Sequence, residues 1–343
     1  MTVMSRDFNK NDFSDPVRAA EIVKKEALQL GADCVGIGNI ERWEGVPLQM
    51  DPKQIMPECK SIIAMAFRVN RGSLRGIEEG TFFSNYSSMG YGAITFLFWP
   101  IITVPLSKLI EDHGYEAVPY GHLNPWEAQK MDGSLMENHS RPAATGRASP
   151  DVTVHLRIAA YLCGLGEIGF SKIFLTPQFG PRNRIGIVLT DAELAPDPIY
   201  SGHKLCNRCL KCVRACPGGA FDPKRTVKVK LAGNEVEWLD VDLEKCTTSF
   251  WGVERCGSDV PENERYCETY PDSRPSSSTL FNKCPQPVFN YGRAICGGKG
   301  CMRACMISLE ERNALENRFK QKFRRRPQWE ADWSKPPPGS NNV

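Results

Sequence analysis

Gly164-Leu165-Gly166-Glu167-Ile168-Gly169-Phe170-Ser171-Lys172-Ile173-Phe174-Leu175-Thr176 decides between two architectures. Its first six residues match the GxGxxG of dinucleotide-binding loops, which needs a strand before the glycines and a helix after them. Here the order is inverted. Apolar residues recur at helical spacing from Val152 to Leu162 and stop at Gly164, while Lys172 to Thr176 and Arg184 to Thr190 read as strands. The glycines therefore carry little weight for a nicotinamide site. Further upstream, Asp15-Pro16 reads as an N-cap with proline in the first turn, followed by Ala19, Ile22, Val23, Ala27 and Leu30 on one face and a stop at Gly31. Cys34 to Gly38, Ser61 to Phe67 and Glu116 to Tyr120 read as strands, and a helix runs through Pro100 to His113. Helices alternating with strands over 15–195 predict an α/β domain. Residues 122–150 carry little pattern, and a loop of that length in a compact domain suits a segment that covers a substrate.

Composition limits the function classes. The chain has 343 residues, 43 Lys and Arg against 40 Asp and Glu, and a net charge of +3, so any nucleic-acid surface must be local. The longest apolar run, Ala93 to Leu106, contains Pro100 and Pro105 and falls short of the roughly 20 residues of a membrane span. It predicts a buried, kinked helix. The polar N-terminus shows no secretory signal and only a faint echo of a twin-arginine motif at Ser5-Arg6, giving the expectation of a soluble, reduced, cytoplasmic protein. The basic run Arg318 to Arg326 reads as a solvated terminal face, a site for tRNA phosphates or a docking face for an acidic electron donor.

The 14 cysteines are unevenly placed, three before residue 200 and eleven between 206 and 305. Cys206-x2-Cys209-x2-Cys212-x3-Cys216-Pro217 lets three thiolates wrap one cubane while the fourth points to a neighbouring cluster. Zinc could use two CxxC pairs, but the third cysteine and the Cys-Pro ending fit [4Fe–4S] better. Crossing the ligands gives Cys206, Cys209, Cys212 and Cys305 for one cluster and Cys216, Cys246, Cys296 and Cys301 for the other. Cys256, Cys267 and Cys284 compete for the second set, and Met306 stands where the pattern has proline. Cys34, Cys59 and Cys163 read as small buried hydrophobes.

The block Cys163 to Asp191, with its Gly-Leu-Gly-Glu and Leu175-Thr-Pro-Gln-Phe-Gly-Pro-Arg182, resembles the cobalamin-dependent reductive dehalogenases and, more weakly, the epoxyqueuosine reductases. The resemblance implies a nitroreductase-like α/β (α+β) domain carrying base-off cobalamin, followed by a ferredoxin-like module with two [4Fe–4S] clusters. It divides the chain into a flexible N-terminus (1–14), a cobalamin-binding domain (15–200), a two-cluster domain (201–315) and a basic, Pro-rich tail (316–343). Phe170 departs from the arginine of the dehalogenase pattern.

The implied activity is two-electron reduction of a small organic substrate, with reductive dehalogenation leading and deoxygenation of a tRNA base, or a non-enzymatic electron-transfer role, as alternatives. The implied partner is a low-potential donor such as ferredoxin or flavodoxin. The short stretch after the clusters counts against tRNA, and the sequence leaves the oligomeric state open. Candidate catalytic residues are Asp151, Tyr120 and Arg182, with Tyr86 and Tyr91 as further candidates for a tyrosine acid. Candidate cofactor contacts are Gly164, Leu165, Gly166, Phe174, Thr176 and Arg184. Asp151 has a plainer role available as the N-cap of a helix from Val152, and Trp99, Phe96 and Phe98 read as core.

Overall fold

Asp15 caps the first helix, α1 (Pro16–Leu30), accepting from the Val17 amide at 2.9 Å, and Gly31 closes it at φ +117° by donating to the carbonyls of Ala27 and Leu28. Both ends follow the sequence pattern. The computed structural model describes residues 10–82, 85–121, 141–150, 152–243, 245, 246, 249 and 295–324. In chain order the strands of the first part are β1 (Cys34–Asn39), β2 (Ser61–Arg68), β3 (Ala117–Tyr120), the two-residue strands β4 (Glu167–Ile168) and β5 (Phe174–Leu175), and β6 (Asn183–Thr190). The main sheet has the order β1-β2-β6-β3, and every neighbouring pair is antiparallel. Alternation of helices and strands thus does not bring parallel pairing here, because β6 arrives late in the chain and inserts between β2 and β3.

The expected strand at Lys172 to Thr176 contracts to β5, which hairpins with β4. Lys172 sits at φ +63° and turns the chain just before it. Gly166, at φ +156°, lies so close to the Leu175 carbonyl that a Cβ would come within 2.0 Å of that oxygen. The glycine serves this tight approach rather than a phosphate.

Both faces of the sheet are covered, so β2 is buried from Ser61 to Phe67. On one face Ile63, Met65 and Val188 pack with Val23 and Ala27 of α1 and with Ile102, Leu106 and Ile110 of α4 (Trp99–Asp112). On the other, Ile62, Ala64, Ile187 and Leu189 pack with Ala159, Ala160 and Leu162 of α5 (Leu156–Leu162). Each of the Val, Leu, Ile and Met side chains among them contributes about 1.5–3 kcal/mol on burial. Gly36 admits the end of α5, since a Cβ there would stand 2.1 Å from the Cys163 carbonyl oxygen.

A π-helical segment, Tyr86–Phe98, runs into α4, with Pro100 in the first turn of α4 and Pro105 inside it. The combined Tyr86–Asp112 helix is long and apolar enough to cross a membrane by length and composition, and half of its apolar window is buried in the fold. The expected buried helix is therefore buried on one face only. Leu97, Phe98, Ile101 and Val104 are exposed, while Trp99, Ile102 and Leu106 face the sheet.

The cysteine-bearing part comprises α6 (Lys211–Arg214), the hairpin of β7 (Phe221–Leu231) and β8 (Asn234–Val241), α7 (Ile295–Lys299) and α8 (Cys301–Glu311). Its packing crosses the boundary expected at residue 200. Met302, Met306 and Ile307 of α8, together with Phe323, share the core of α1 and α4. Arg71 grips the Gln321 carbonyl at 3.0 Å, so the segment up to 324 is fastened to the first part.

Helix α5 starts at Leu156, later than the periodicity predicts, because His155 is the residue that caps it, its Nδ1 accepting from the Ile158 amide at 3.3 Å. That role requires a neutral ring. Burial, reinforced by Arg157 and Lys172, pushes its pKa down to about 3. The unfolded chain takes up this proton near its usual value of about 6.5, so the stabilisation is complete above that value and is lost as pH falls toward 3. His155→Asn keeps a capping acceptor and should flatten the fall in urea midpoint between roughly pH 6 and pH 4; an unchanged slope would assign that dependence to other groups.

Candidate functional site

Two left-handed residues, Arg208 (φ +55°) and Leu210 (φ +58°), curl the chain around Cys206, Cys209 and Cys212 before α6 begins. The amide of Phe170 donates to Cys206 Sγ at 3.2 Å, and the Cys206 amide donates to the Glu167 carboxylate. The acidic residue after the glycines therefore anchors the cysteine loop, a role the sequence reading missed. Its signal was the charge that alone separates Gly-Leu-Gly-Glu from an apolar turn. Cys209 Sγ meets Ser308 Oγ at 3.7 Å, and Cys212 is hydrogen-bonded to Ser171.

Cys301 and Cys305 lie one turn apart on α8, so both project from one face. Cys305 stands within electrostatic reach of Cys206, Cys209 and Cys212. Cys301 and Cys296 stand in reach of Cys216 and Cys246. Cys301 is also in reach of Cys212, and Cys305 of Cys301, so the cysteines on either side meet along α8. A small cavity lined by Cys206, Cys209, Cys212 and Cys305 opens within the first of these groups. Burial, then the neighbouring thiols, pushes the Cys301 pKa up to about 12 and raises those of Cys296 and Cys305 well above the usual thiol value. As thiolates, such groups demand cationic charge at their centre, which is the donor chemistry of a metal cluster. Among the described residues no three cysteine, histidine, aspartate or glutamate side chains close around a single metal ion. Cys59 and Cys163 are buried in the core and Cys34 is half-buried, bonded to Gln178 at 3.4 Å. Cys256, Cys267 and Cys284 lie outside the described residues.

The second group adjoins a cluster of tyrosine and arginine side chains. The π-helical segment places Tyr86 and Tyr91 five residues apart, one π turn. The Tyr86 hydroxyl meets Met302 Sδ of α8 at 3.7 Å, and burial raises its pKa well above the usual phenol range. Arg184 projects from β6 with its guanidinium carbon 4.1 Å from the Tyr91 ring centre, and its Nε donates to Thr95 Oγ1 at 3.0 Å. Arg157 of α5 stands within electrostatic reach of Arg184, Cys246, Cys301 and Tyr91. It is enclosed by enough protein to depress its pKa by desolvation, yet its side chain keeps open surface.

The other candidates sit elsewhere. Arg182 is fully buried, donating to the Val69 carbonyl at 2.9 Å and to Asn317 Oδ1 at 3.0 Å, with its pKa pushed down to about 10 by burial. Tyr120 is buried, its hydroxyl donating to Val152 O at 3.3 Å and accepting from Val154 N at 3.0 Å. Leu165, Phe174 and Thr176 are buried, Thr176 accepting from the Phe179 amide, and Gly164 and Gly166 make close backbone approaches. Arg184 alone of the expected cofactor contacts faces the tyrosine cluster. Asp151 lies outside the described residues.

No protein-family profile matches the chain. It is 41% identical over 103 residues to a tetrachloroethene reductive dehalogenase of Desulfitobacterium hafniense, an alignment covering 29% of this chain and 18% of the relative. Against a tetrachloroethene reductive dehalogenase of Sulfurospirillum multivorans it is 24% identical over 75% of this chain and 50% of the relative. An epoxyqueuosine reductase of a Synechococcus strain is 33% identical over 37% of this chain and 35% of its own length. The chain thus spans half or less of these relatives. The solved catabolic reductive dehalogenase NpRdhA superposes on 88% of this chain and 37% of its own, with a TM-score of 0.50 and 23% identity, which shows a shared fold. A reductive dehalogenase structure described as suggesting a mechanism for B12-dependent dehalogenation matches equally, with a TM-score of 0.50 and 23% identity. The chain is a homologue of reductive dehalogenases and of epoxyqueuosine reductases, nearer to the former. Both kinds of relative are oxidoreductases.

What holds the cysteine face of α8 in place is open to test. Arg303 of α8 pairs with Glu78, whose carboxylate is almost wholly buried on α3 (Arg75–Glu79). Removing one partner of such a pair costs about 3–5 kcal/mol. Arg303→Met should lower the thermal midpoint accordingly, and Glu78→Gln in the same chain should recover much of the loss. A midpoint unchanged by Arg303→Met would remove the pair from the stability of α8.

Proposed function

We propose that the chain is a cobalamin- and iron–sulfur-dependent reductase that delivers two electrons to a small organic substrate, with reductive dehalogenation as its leading chemistry. The observation that carries this reading is the gathering of the cysteines along α8, with Cys246 and Cys301 beside the cluster of Arg157, Arg184 and Tyr91. Each group suits one [4Fe–4S] cluster, the first held by Cys206, Cys209, Cys212 and Cys305 and the second by Cys216, Cys246, Cys296 and Cys301.

Cobalamin, when bound, supplies a low-potential two-electron reductant that a protein side chain cannot. Arg184 and Arg157 are the residues assigned to hold it. Three histidines are described, and each has another role. His113 stacks on Phe13 and bonds the Leu109 carbonyl, His155 caps α5, and His203 bonds the Ala314 carbonyl. A base-off form is proposed on the resemblance, with no ligand among the described histidines; His122 and His139 lie outside the described residues.

The remaining chemistry belongs to the chain. Replacing a carbon–halogen bond by carbon–hydrogen consumes two electrons and one proton and releases halide. The Tyr91 hydroxyl is assigned the proton. Arg184 holds the ring in place from above, and the fixed charge of Arg157 draws the departing anion. Tyr120, engaged with two backbone groups, is assigned to holding the segment after residue 151. Arg182 is assigned to anchoring Asn317.

Two outcomes test this. Anaerobically purified protein should carry about eight irons and eight acid-labile sulfides per chain; Cys209→Ala should lose or degrade one cluster and Cys59→Ala neither, whereas stoichiometric zinc would overturn the reading. Tyr91→Phe should slow halophenol reduction at least roughly tenfold with iron and corrin retained, while Tyr120→Phe should lower stability more than turnover. Full activity in Tyr91→Phe would move the proton to another donor, Asp151 being the first to examine, and turnover of epoxyqueuosine tRNA alone would replace the dehalogenation assignment.

A further inference from the structure

We propose that the face formed by Lys204, Arg208 and Arg214 together with Arg318, Lys320 and Lys322 is the docking surface of an acidic electron-carrier protein that delivers electrons through the first cysteine group. The inference rests on the cluster reading above and adds the surface and the chemistry of its partner.

Charge is concentrated here against a nearly balanced whole. The chain carries a net +3, yet residues 198–221 contain four Lys and Arg and no acidic residue. Lys204, Arg208 and Arg214 are exposed around Cys206, Cys209 and Cys212, and Arg214 donates to the Cys209 carbonyl at 3.1 Å. The cationic side chains thus stand beside the thiols of the first group. The C-terminal segment extends the same surface. His203 Nε2 bonds the Ala314 carbonyl at 3.0 Å, and Arg312 donates to the Leu205 carbonyl at 2.6 Å.

Beyond that seam Arg318, Lys320 and Lys322 rim a cleft of about 490 Å³. Phe319 is exposed within it, its ring stacked under Arg71 at 3.6 Å. Glu310 pairs with Arg71 and Glu311 with Lys211, each at 3.0 Å, and Glu237 pairs with Arg208 at 2.7 Å, so Lys204, Arg214, Arg318, Lys320 and Lys322 set the charge of the face against the exposed Glu316. An aromatic centre with a cationic rim is the anatomy of a docking surface for an acidic partner.

Position selects a protein carrier over a nucleic acid. The first group lies beneath this face, and the Arg157, Arg184 and Tyr91 cluster adjoins Cys246 and Cys301, on the other side of the Cys301–Cys305 turn of α8. A redox protein docked here places its electrons next to Cys206–Cys212. A nucleic-acid substrate bound here would be held beside the wrong group.

The test uses the anaerobic holoprotein, an acidic two-cluster ferredoxin as probe, and the variant Lys204→Glu/Lys320→Glu/Lys322→Glu. Calorimetric binding at low ionic strength should weaken at least roughly tenfold in the variant, and wild-type binding should weaken as salt rises. Iron content, and turnover driven by titanium(III) citrate, should be equal in both proteins, while ferredoxin-driven turnover falls in the variant. Absence of turnover with the chemical reductant would count against the proposed function and leave the binding result to stand alone. Equal ferredoxin affinity in wild type and variant would overturn the docking surface. So would a tRNA affinity that the substitutions abolish while ferredoxin binding is unaffected. Lys→Gln replacements at the three positions serve if charge reversal changes the iron content.

Discussion

The position of α8 is the constraint from which the rest follows. One face of this short helix carries Cys301 and Cys305, and other sides of it bury Met302, Met306 and Ile307 in the core that α1 and α4 share with the sheet. A turn of helix is the distance between neighbouring cysteine groups, and the core fixes that turn relative to β6. The two groups therefore have a set position against Arg184, which β6 projects from the same sheet. Arg303 and Glu78 brace the helix from the side. Were α8 to shift by a few ångströms, both groups would open together, and the Tyr86–Met302 contact would go with them.

The π-helical segment answers a different demand. An α-helix repeats every 3.6 residues, so side chains five apart diverge around it, whereas a π turn brings them into line. Tyr86 and Tyr91 can consequently address one region, Tyr86 against α8 and Tyr91 beneath Arg184. The segment costs backbone regularity, and the adjoining helix offsets that cost by burying Trp99, Ile102 and Leu106. Its outer face keeps Leu97, Phe98 and Ile101 exposed.

The elements with local signals were legible in the sequence. The Asp15 cap, the Gly31 stop and the strands around Val35, Ile63 and Val188 all rest on neighbours in the chain, and they appear where the pattern puts them. The nearness of Cys206, Cys209 and Cys212 to one another was legible too, because their spacing is itself local; their ligation is part of the proposal. What escaped was long-range. Nothing near residue 183 announces that β6 will insert between strands from residues 61 and 117. His155 displaced the expected helix start because its ring, not a residue before Val152, found the free amide. Arg182 and Arg184 look equivalent as written, two residues apart. Packing separates them, drawing Arg182 under the Asn317 segment and leaving Arg184 over Tyr91.

The crossed ligation proposed for α8 has one direct measurement, an anomalous difference map collected at the iron absorption edge from anaerobic crystals. Two iron peaks should appear, one enclosed by Cys206, Cys209, Cys212 and Cys305 and the other by Cys216, Cys246, Cys296 and Cys301, with the second peak the nearer to Arg157 and Arg184. A single peak, or a pair in which Cys301 and Cys305 serve the same cluster, would contradict the arrangement.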